Sequence, residues 1–274
     1  MTKNVPNVLS IAGIDPSGGA GSFADIKTMS ALGAYAMGVV TAVTAQNTQG
    51  VTGVYPISPD FVIKQIDTVF EDVRVDAVKI GMLFDSSLIL AVADRLRYWK
   101  PKYIVLDPVM VAKSGDHLLS EDSVETMVKE LLPLATIVTP NLPEAKTLLT
   151  SKEINSDQLM DVAAIELWRL MGKDGWVFLK GGHREGLHYA EDILYDGKKL
   201  VRLRSDRYET KNTHGTGCTL SSALAALLPQ SPDIPTAAQR AKDYISEAIK
   251  NSDLLEVGSG HGPVNHFYKY WYSS

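Results

Sequence analysis

Ala135-Thr136-Ile137-Val138-Thr139-Pro140-Asn141-Leu142-Pro143-Glu144-Ala145 carries a strand directly into a helix. Ala135–Val138 is a short apolar run of the kind buried inside a sheet. Asn141, with Glu144 three residues on, is a capping-box pattern opening a helix over 142–149. The same alternation runs along the chain. Short apolar runs at Val8–Ala12, Val39–Thr44, Val75–Ile80, Tyr103–Leu106 and Trp176–Leu179 are interleaved with helical stretches. Those stretches are Phe23–Leu32, Phe61–Phe70, 86–98, 121–132 and 157–171, and helices 217–228 and 236–250 close the chain. Repeated strand–helix units with near-continuous apolar strands predict a parallel sheet covered on both faces. The pattern changes after Ala190, where Asp192–Tyr195, Asp196-Gly197 and Leu200–Leu203 predict a hairpin and so an antiparallel edge. No linker, repeat or low-complexity segment interrupts residues 1–274, which predicts a single domain.

At 274 residues, 45% hydrophobic and 22% charged, the composition is that of a soluble protein with a sizeable core. A net charge of −5, with no block of basic residues, argues against nucleic acid as a partner. One cysteine excludes a disulfide framework and a cysteine-based zinc site. The polar start and the lack of any long apolar stretch predict no export leader and no membrane span, hence a cytoplasmic protein.

In wound sheets of this kind ligands bind beyond the carboxyl ends of the strands. Lys211-Asn212-Thr213-His214-Gly215-Thr216-Gly217-Cys218-Thr219 is a glycine-punctuated turn opening a helix, which offers unpaired N–H donors to an anion. Cys218 is either a small apolar filler there or a thiol whose pKa the helix terminus depresses, able to act as a base. After the first strand, Gly19-x-Gly21-x-x-Ala24 weakly matches a dinucleotide fingerprint. The second strand, however, ends in Ala45-Gln46-Asn47-Thr48, without the acidic residue that a ribose needs. Asp25 complements its helix dipole or touches a substrate. Gln46 is a solvated amide or a donor–acceptor pair matched to an aminopyrimidine. Asp107 is a turn residue before Pro108 or a carboxylate holding Mg²⁺ through water. Glu144 caps its helix and can also steer a metal-bound water. Lys180, before Gly181 and Gly182, is a solvated lysine or a phosphate partner. No P-loop is present, and the six histidines, His117 and His183 among them, lack zinc-type spacing. Carboxylates, a lysine, an anion-binding turn and an ionisable thiol together describe a small-molecule kinase.

These residues stand in motifs that resemble the hydroxymethylpyrimidine/phosphomethylpyrimidine kinases of thiamine synthesis. The motifs are Ser10–Gly13, Ser17–Gly21, Ala24–Thr28, Ala45–Thr48, Lys79–Met82, Asp107–Met110, Ala112–Asp116, Thr139–Ala145, Lys180–His183, Thr213–Thr219 and Gly262–Val264. The resemblance implies a ribokinase-like three-layer α-β-α fold, ATP and Mg²⁺ dependence, and two successive phosphorylations. It implies Cys218 as catalytic base within an anion hole of Gly215, Thr216, Gly217 and Cys218. It puts Asp25, Gln46, Met82, Val109 and Gly13 around the pyrimidine, and Lys180, Thr213 and Asn141 at the nucleotide. Asp107 and Glu144 would attend the metal, and the family commonly forms homodimers. Ile14, Ser22 and Phe23 depart from the family pattern beside the substrate loop. Pyridoxal, with a similar primary hydroxymethyl group on a flat ring, is the alternative substrate, and a non-catalytic pyrimidine or nucleotide sensor is the alternative of another class.

Overall fold

A strand that is apolar on both faces needs cover on both faces, and this chain supplies it from alternating helices. The computed structural model describes residues 5–110, 119–151, 153–172, 174–182 and 188–271. Motif 112–116, His117 and His183 lie outside the described residues. The strands are β1 (Asn7–Ile14), β2 (Tyr35–Gln46), β3 (Val51–Pro56), β4 (Ala77–Ile80), β5 (Ile104–Leu106), β6 (Ile137–Val138), β7 (Trp176–Leu179), β8 (Tyr189–Tyr195) and β9 (Leu200–Asp206). They join one sheet in the order β3-β2-β1-β4-β5-β6-β7-β8-β9. Strands β2 to β7 in that order pair in parallel; β3, β8 and β9 pair antiparallel.

The helices are α1 (Gly21–Ala31), α2 (Pro59–Asp72), α3 (Ser86–Trp99), α4 (Glu121–Thr126), α5 (Leu142–Leu148), α6 (Asp157–Leu170), α7 (Thr216–Leu227) and α8 (Ile234–Lys250). Side chains alternate across each strand, so the sheet divides two cores. Leu9, Ile11, Val78, Ile80, Leu106 and Val138 face the side that buries residues of α2, α3, α5 and α6. Val8, Val105, Ile137 and Phe178 face the side covered by α1, α7 and α8. This is the three-layer arrangement that the alternation predicts. No described helix is long and apolar enough to cross a membrane.

Two elements differ from the sequence reading. The helix expected over 121–132 ends its regular course at Thr126, loosens into a π turn over Met127–Leu131 and tightens into a 3₁₀ turn over Leu132–Leu134. Pro133 is the physical reason: it has no N–H to donate, and its ring crowds the carbonyl four residues back. The second difference is β3, which adds an antiparallel edge to the far side of the sheet as well. Its residues are mostly exposed or half-buried, so they lack the continuous apolar run that marks the central strands.

Candidate active site

The chain runs from β1 outward to β2 on one side and resumes at β4 on the other, so the crevice opens beyond the carboxyl ends of β1 and β4. A cleft of about 760 Å³ lies there. The loop after β1 is organised by Asp15, which is nearly buried. One of its oxygens accepts the Ser17 N–H and hydroxyl at 2.9 and 2.7 Å. The other accepts the Ala20 N–H at 3.0 Å and lies 2.7 Å from His214 Nε2. Burial pushes the Asp15 carboxyl up, but the His214 and Ser17 bonds outweigh it and leave the group below its ordinary value. The loop ends at Gly21, the first residue of α1, with φ +58° and no room for a side chain against the Gly13 carbonyl.

The opposing wall is the start of α7. Gly215 has φ +77°, and any Cβ there would collide with the Gly19 carbonyl. The Thr219 N–H bonds back to the Gly215 carbonyl at 2.8 Å, so the N–H groups of Gly217 and Cys218 precede the first helical bond. A Cβ on Gly217 would stand 3.2 Å from Lys180 Nζ, which puts the lysine against the mouth of this turn. Cys218 is part-exposed. The expected depression of its thiol is not found. Burial pushes it up to about 11; Lys79 and a hydrogen bond from the Gly21 N–H pull it down, while Asp25 and Asp107 push it further up. Helix-terminus stabilisation is real but falls off within a turn, and it is outweighed here by desolvation and two carboxylates.

Asp107 and Lys180 directly follow β5 and β7, and Glu144 stands in the first turn of α5, the helix after β6. Lys180 Nζ is 3.1 Å from Asp107 Oδ1 and 3.8 Å from Glu144 Oε2. Thr139 and Ser221 hydroxyls also donate to Asp107, each at 3.1 Å. Burial pushes the Asp107 carboxyl up, but Lys180 and Lys79 pull it well below the ordinary range. Glu144 goes the other way: burial lifts it to about 7, with Lys180 opposing and Asp107 adding to the rise. Asn141 and Glu144 form the expected capping box, with bonds of 2.8 and 2.7 Å.

Gly13, Gln46, Met82, Val109, Asp107, Asn141, Glu144, Lys180, Thr213, Gly215, Thr216, Gly217 and Cys218 all line this cleft. Asp25 does not. It is fully buried and accepts Ser10 Oγ and Ser222 Oγ at 2.6 Å each, and Lys79 Nζ at 2.8 and 2.9 Å. The expectation of a substrate-touching Asp25 is therefore corrected: the carboxylate is the buried counter-ion of Lys79, a fully buried residue that borders the cleft. Of the three departures, only Ile14 lines the cleft; Ser22 is buried with its hydroxyl 3.0 Å from the Ala12 carbonyl, and Phe23 is exposed. Lys79, Asp15 and His214 are the site residues the sequence reading missed. For His214 a signal existed in its place beside Gly215; Lys79 is one charge on an apolar strand, with nothing to say which face it takes.

Asp107 and Glu144 offer hard oxygen donors, and among the described residues no group of three or more His, Cys, Asp or Glu could hold a metal. Such a pair suits an ion that keeps its waters and shares phosphate oxygens, as Mg²⁺ does, and does not suit an all-protein cage.

The family model for phosphomethylpyrimidine kinase matches residues 15–265. The hydroxymethylpyrimidine/phosphomethylpyrimidine kinase of Escherichia coli (strain K12) is 50% identical over 97% of this chain and 98% of its own. A thiamine biosynthesis bifunctional protein of Geobacter sulfurreducens is 47% identical over 95% of this chain and 52% of its own. The solved pyridoxal kinase of Staphylococcus aureus in complex with ADP is similar with a TM-score of 0.89 at 34% identity, covering 98% of this chain and 96% of that one. The chain belongs to the phosphomethylpyrimidine kinase family.

Proposed function

We propose that this single-domain phosphotransferase moves the terminal phosphoryl group of ATP to the hydroxymethyl group of 4-amino-5-hydroxymethyl-2-methylpyrimidine, then phosphorylates the resulting monophosphate, for thiamine biosynthesis. The observation that carries the reading is the meeting, in one cleft, of Cys218 on an N–H-rich turn with the Lys180–Asp107–Glu144 cluster and the Gln46 amide. Gln46 is suited to the exocyclic amine and ring nitrogen of the pyrimidine, with Met82 and Val109 against the ring. The Gly217 and Cys218 N–H groups and Lys180 receive the transferring phosphoryl, where donors held in place before the reaction stabilise developing charge. Cys218 takes the proton of the attacking hydroxyl.

Asp107 and Glu144 would hold Mg²⁺, with Asn141 and Thr213 toward the nucleotide. Bound there, the ion supplies positive charge to the phosphate oxygens and the two carboxylates. With its charge balanced by the ion, Asp107 would no longer add to the rise of the Cys218 thiol. The reading extends to a homodimer that acts in the cytoplasm and binds neither nucleic acid nor membrane. Light scattering checks the dimer.

A second reading, a pyridoxal kinase, is favoured by the likeness to the Staphylococcus aureus enzyme. ADP release with Mg²⁺ and each alcohol tests both. The pyrimidine is expected to give the larger kcat/KM; a tenfold preference for pyridoxal, about 1.4 kcal/mol, reverses the order. A protein that binds both ligands and releases no ADP is a sensor, and that outcome removes both kinase readings.

A further inference from the structure

Thr44 and Gln46 stand two residues apart at the end of β2, so they share one face of the strand, and both line the cleft. A slip in the pairing of β1 with β2 comes just before them: Ala12 pairs with Val40, but Ile14 pairs with Val43. An extra residue of this kind re-aims the side chains next to it. On the neighbouring β3 their partners are Val54 and Val51, which bring no polar side-chain atom. The Thr44 hydroxyl oxygen lies 2.9 Å from the Ile14 carbonyl oxygen and 3.1 Å from one end of the Gln46 amide. Among the described residues Thr44 is the only side chain bonded to that amide.

A hydroxyl has one proton to give and can also accept. A carbonyl oxygen can only accept, whereas a half-turn of an amide exchanges its donor end for its acceptor end without changing its shape. One arrangement satisfies both contacts: Thr44 gives its proton to Ile14 and accepts an N–H from Gln46. Giving the proton to Gln46 instead leaves two acceptors facing each other at 2.9 Å. We infer that Thr44 is a positioning residue that sets ring specificity, pinning the Gln46 amide so that its oxygen and second N–H meet the ligand. The inference rests on the reading of the substrate as a ring-borne alcohol recognised through Gln46. An acceptor beside a donor matches the 4-amine and adjacent ring nitrogen of the aminopyrimidine, which donate and accept. Oxygen in place of the 4-amine reverses that edge, because the stable form of the analogue carries a C=O beside a ring N–H. The aldehyde of pyridoxal, on the carbon next to the one bearing the hydroxymethyl, likewise only accepts. A free amide turns to suit either edge; a pinned one leaves the reversed edge unpaired.

The test compares kcat/KM for the 4-amino alcohol and its 4-oxo analogue, read as ADP release at saturating ATP and Mg²⁺. The parent enzyme is expected to prefer the amine by about tenfold or more, and a smaller preference overturns the inference. Thr44→Val keeps the shape and removes the hydroxyl, so it is expected to cut that preference by about threefold or more. Thr44→Ser, which keeps the hydroxyl, should hold it within about threefold of the parent, and KM for ATP should stay within about twofold in both variants. A merely structural role lowers both alcohols alike, so a folded Thr44→Val that keeps the parent's preference also overturns the inference. Should Thr44→Val fail to fold, Thr44→Ala removes the same hydroxyl, and the parent's own preference still decides. A parent that phosphorylates neither pyrimidine defeats the reading of the function, and the inference falls with it. A parent that turns over both pyrimidines equally leaves that reading standing and removes the inference alone.

Discussion

At neutral pH a thiol held up near 11 keeps its proton, so Cys218 is quiet until the site fills. Alkylation of the ligand-free enzyme is expected to be slow at pH 7, to climb about tenfold per pH unit up to about pH 10 and to level off only above that. A plateau below pH 8 would contradict the burial argument. The same sulfur should matter unequally to the two phosphorylations. The alcohol must lose a proton, whereas a phosphate monoester, with a second pKa of about 6, already presents an ionised oxygen near pH 7. Cys218→Ala is therefore expected to slow the alcohol step by roughly 10²–10⁴ and the monophosphate step by far less, measured in single turnover with each substrate supplied separately. Equal losses in the two steps would contradict the assignment. The placement of Lys180 just past a strand, and of Glu144 and Cys218 in the first turn of a helix, was legible in the sequence, although each kept a purely structural alternative there. Asp25 was not, since sequence spacing does not say whether a carboxylate at a helix start turns into the cleft or beneath it.

Helix α5 shows how one element serves both fold and site. Glu144 closes the capping box of α5 and also stands beside Asp107 and Lys180. Its pKa, raised from 4.5 to about 7 by burial, means that stability is present below the unfolded value and lost as pH rises through 7. Glutamine keeps the cap and carries no charge. Glu144→Gln is thus expected to stabilise the ligand-free protein by about 2 kcal/mol at pH 8 and by almost nothing near pH 4.5, read from urea unfolding. A destabilised variant at pH 8 would count against it. The β4–α1 contact makes the opposite point. Lys79 and Asp25 are both fully buried, so Lys79→Met strands a carboxylate and is expected to cost about 3–5 kcal/mol. The Lys79→Met/Asp25→Asn double variant should recover a large part of that loss, and a simple sum of the two single losses would rule the pairing out. The central strands announced themselves by continuous apolar runs. Strand β3 did not, because an edge strand facing solvent has no such run to display.

Across the whole molecule, the order β2-β1-β4-β5-β6-β7 decides where the ligand goes. It turns six strand ends, from Ile14 at the end of β1 to Leu179 at the end of β7, into one cleft that also receives the start of α7. The strand–helix alternation made that architecture readable, and ordered motifs made the family readable. What alternation could not convey was the loop-to-loop contact through Asp15 and His214, because a hydrogen bond between residues so far apart has no local periodicity. The central claim concerns two transfers at one site, and phosphorus NMR follows both directly. With the hydroxymethylpyrimidine, ATP and Mg²⁺, the expected course is a monoester signal that rises first and then gives way to the paired signals of a diphosphate. A spectrum in which ATP stays intact, or in which only added pyridoxal becomes phosphorylated, would contradict it.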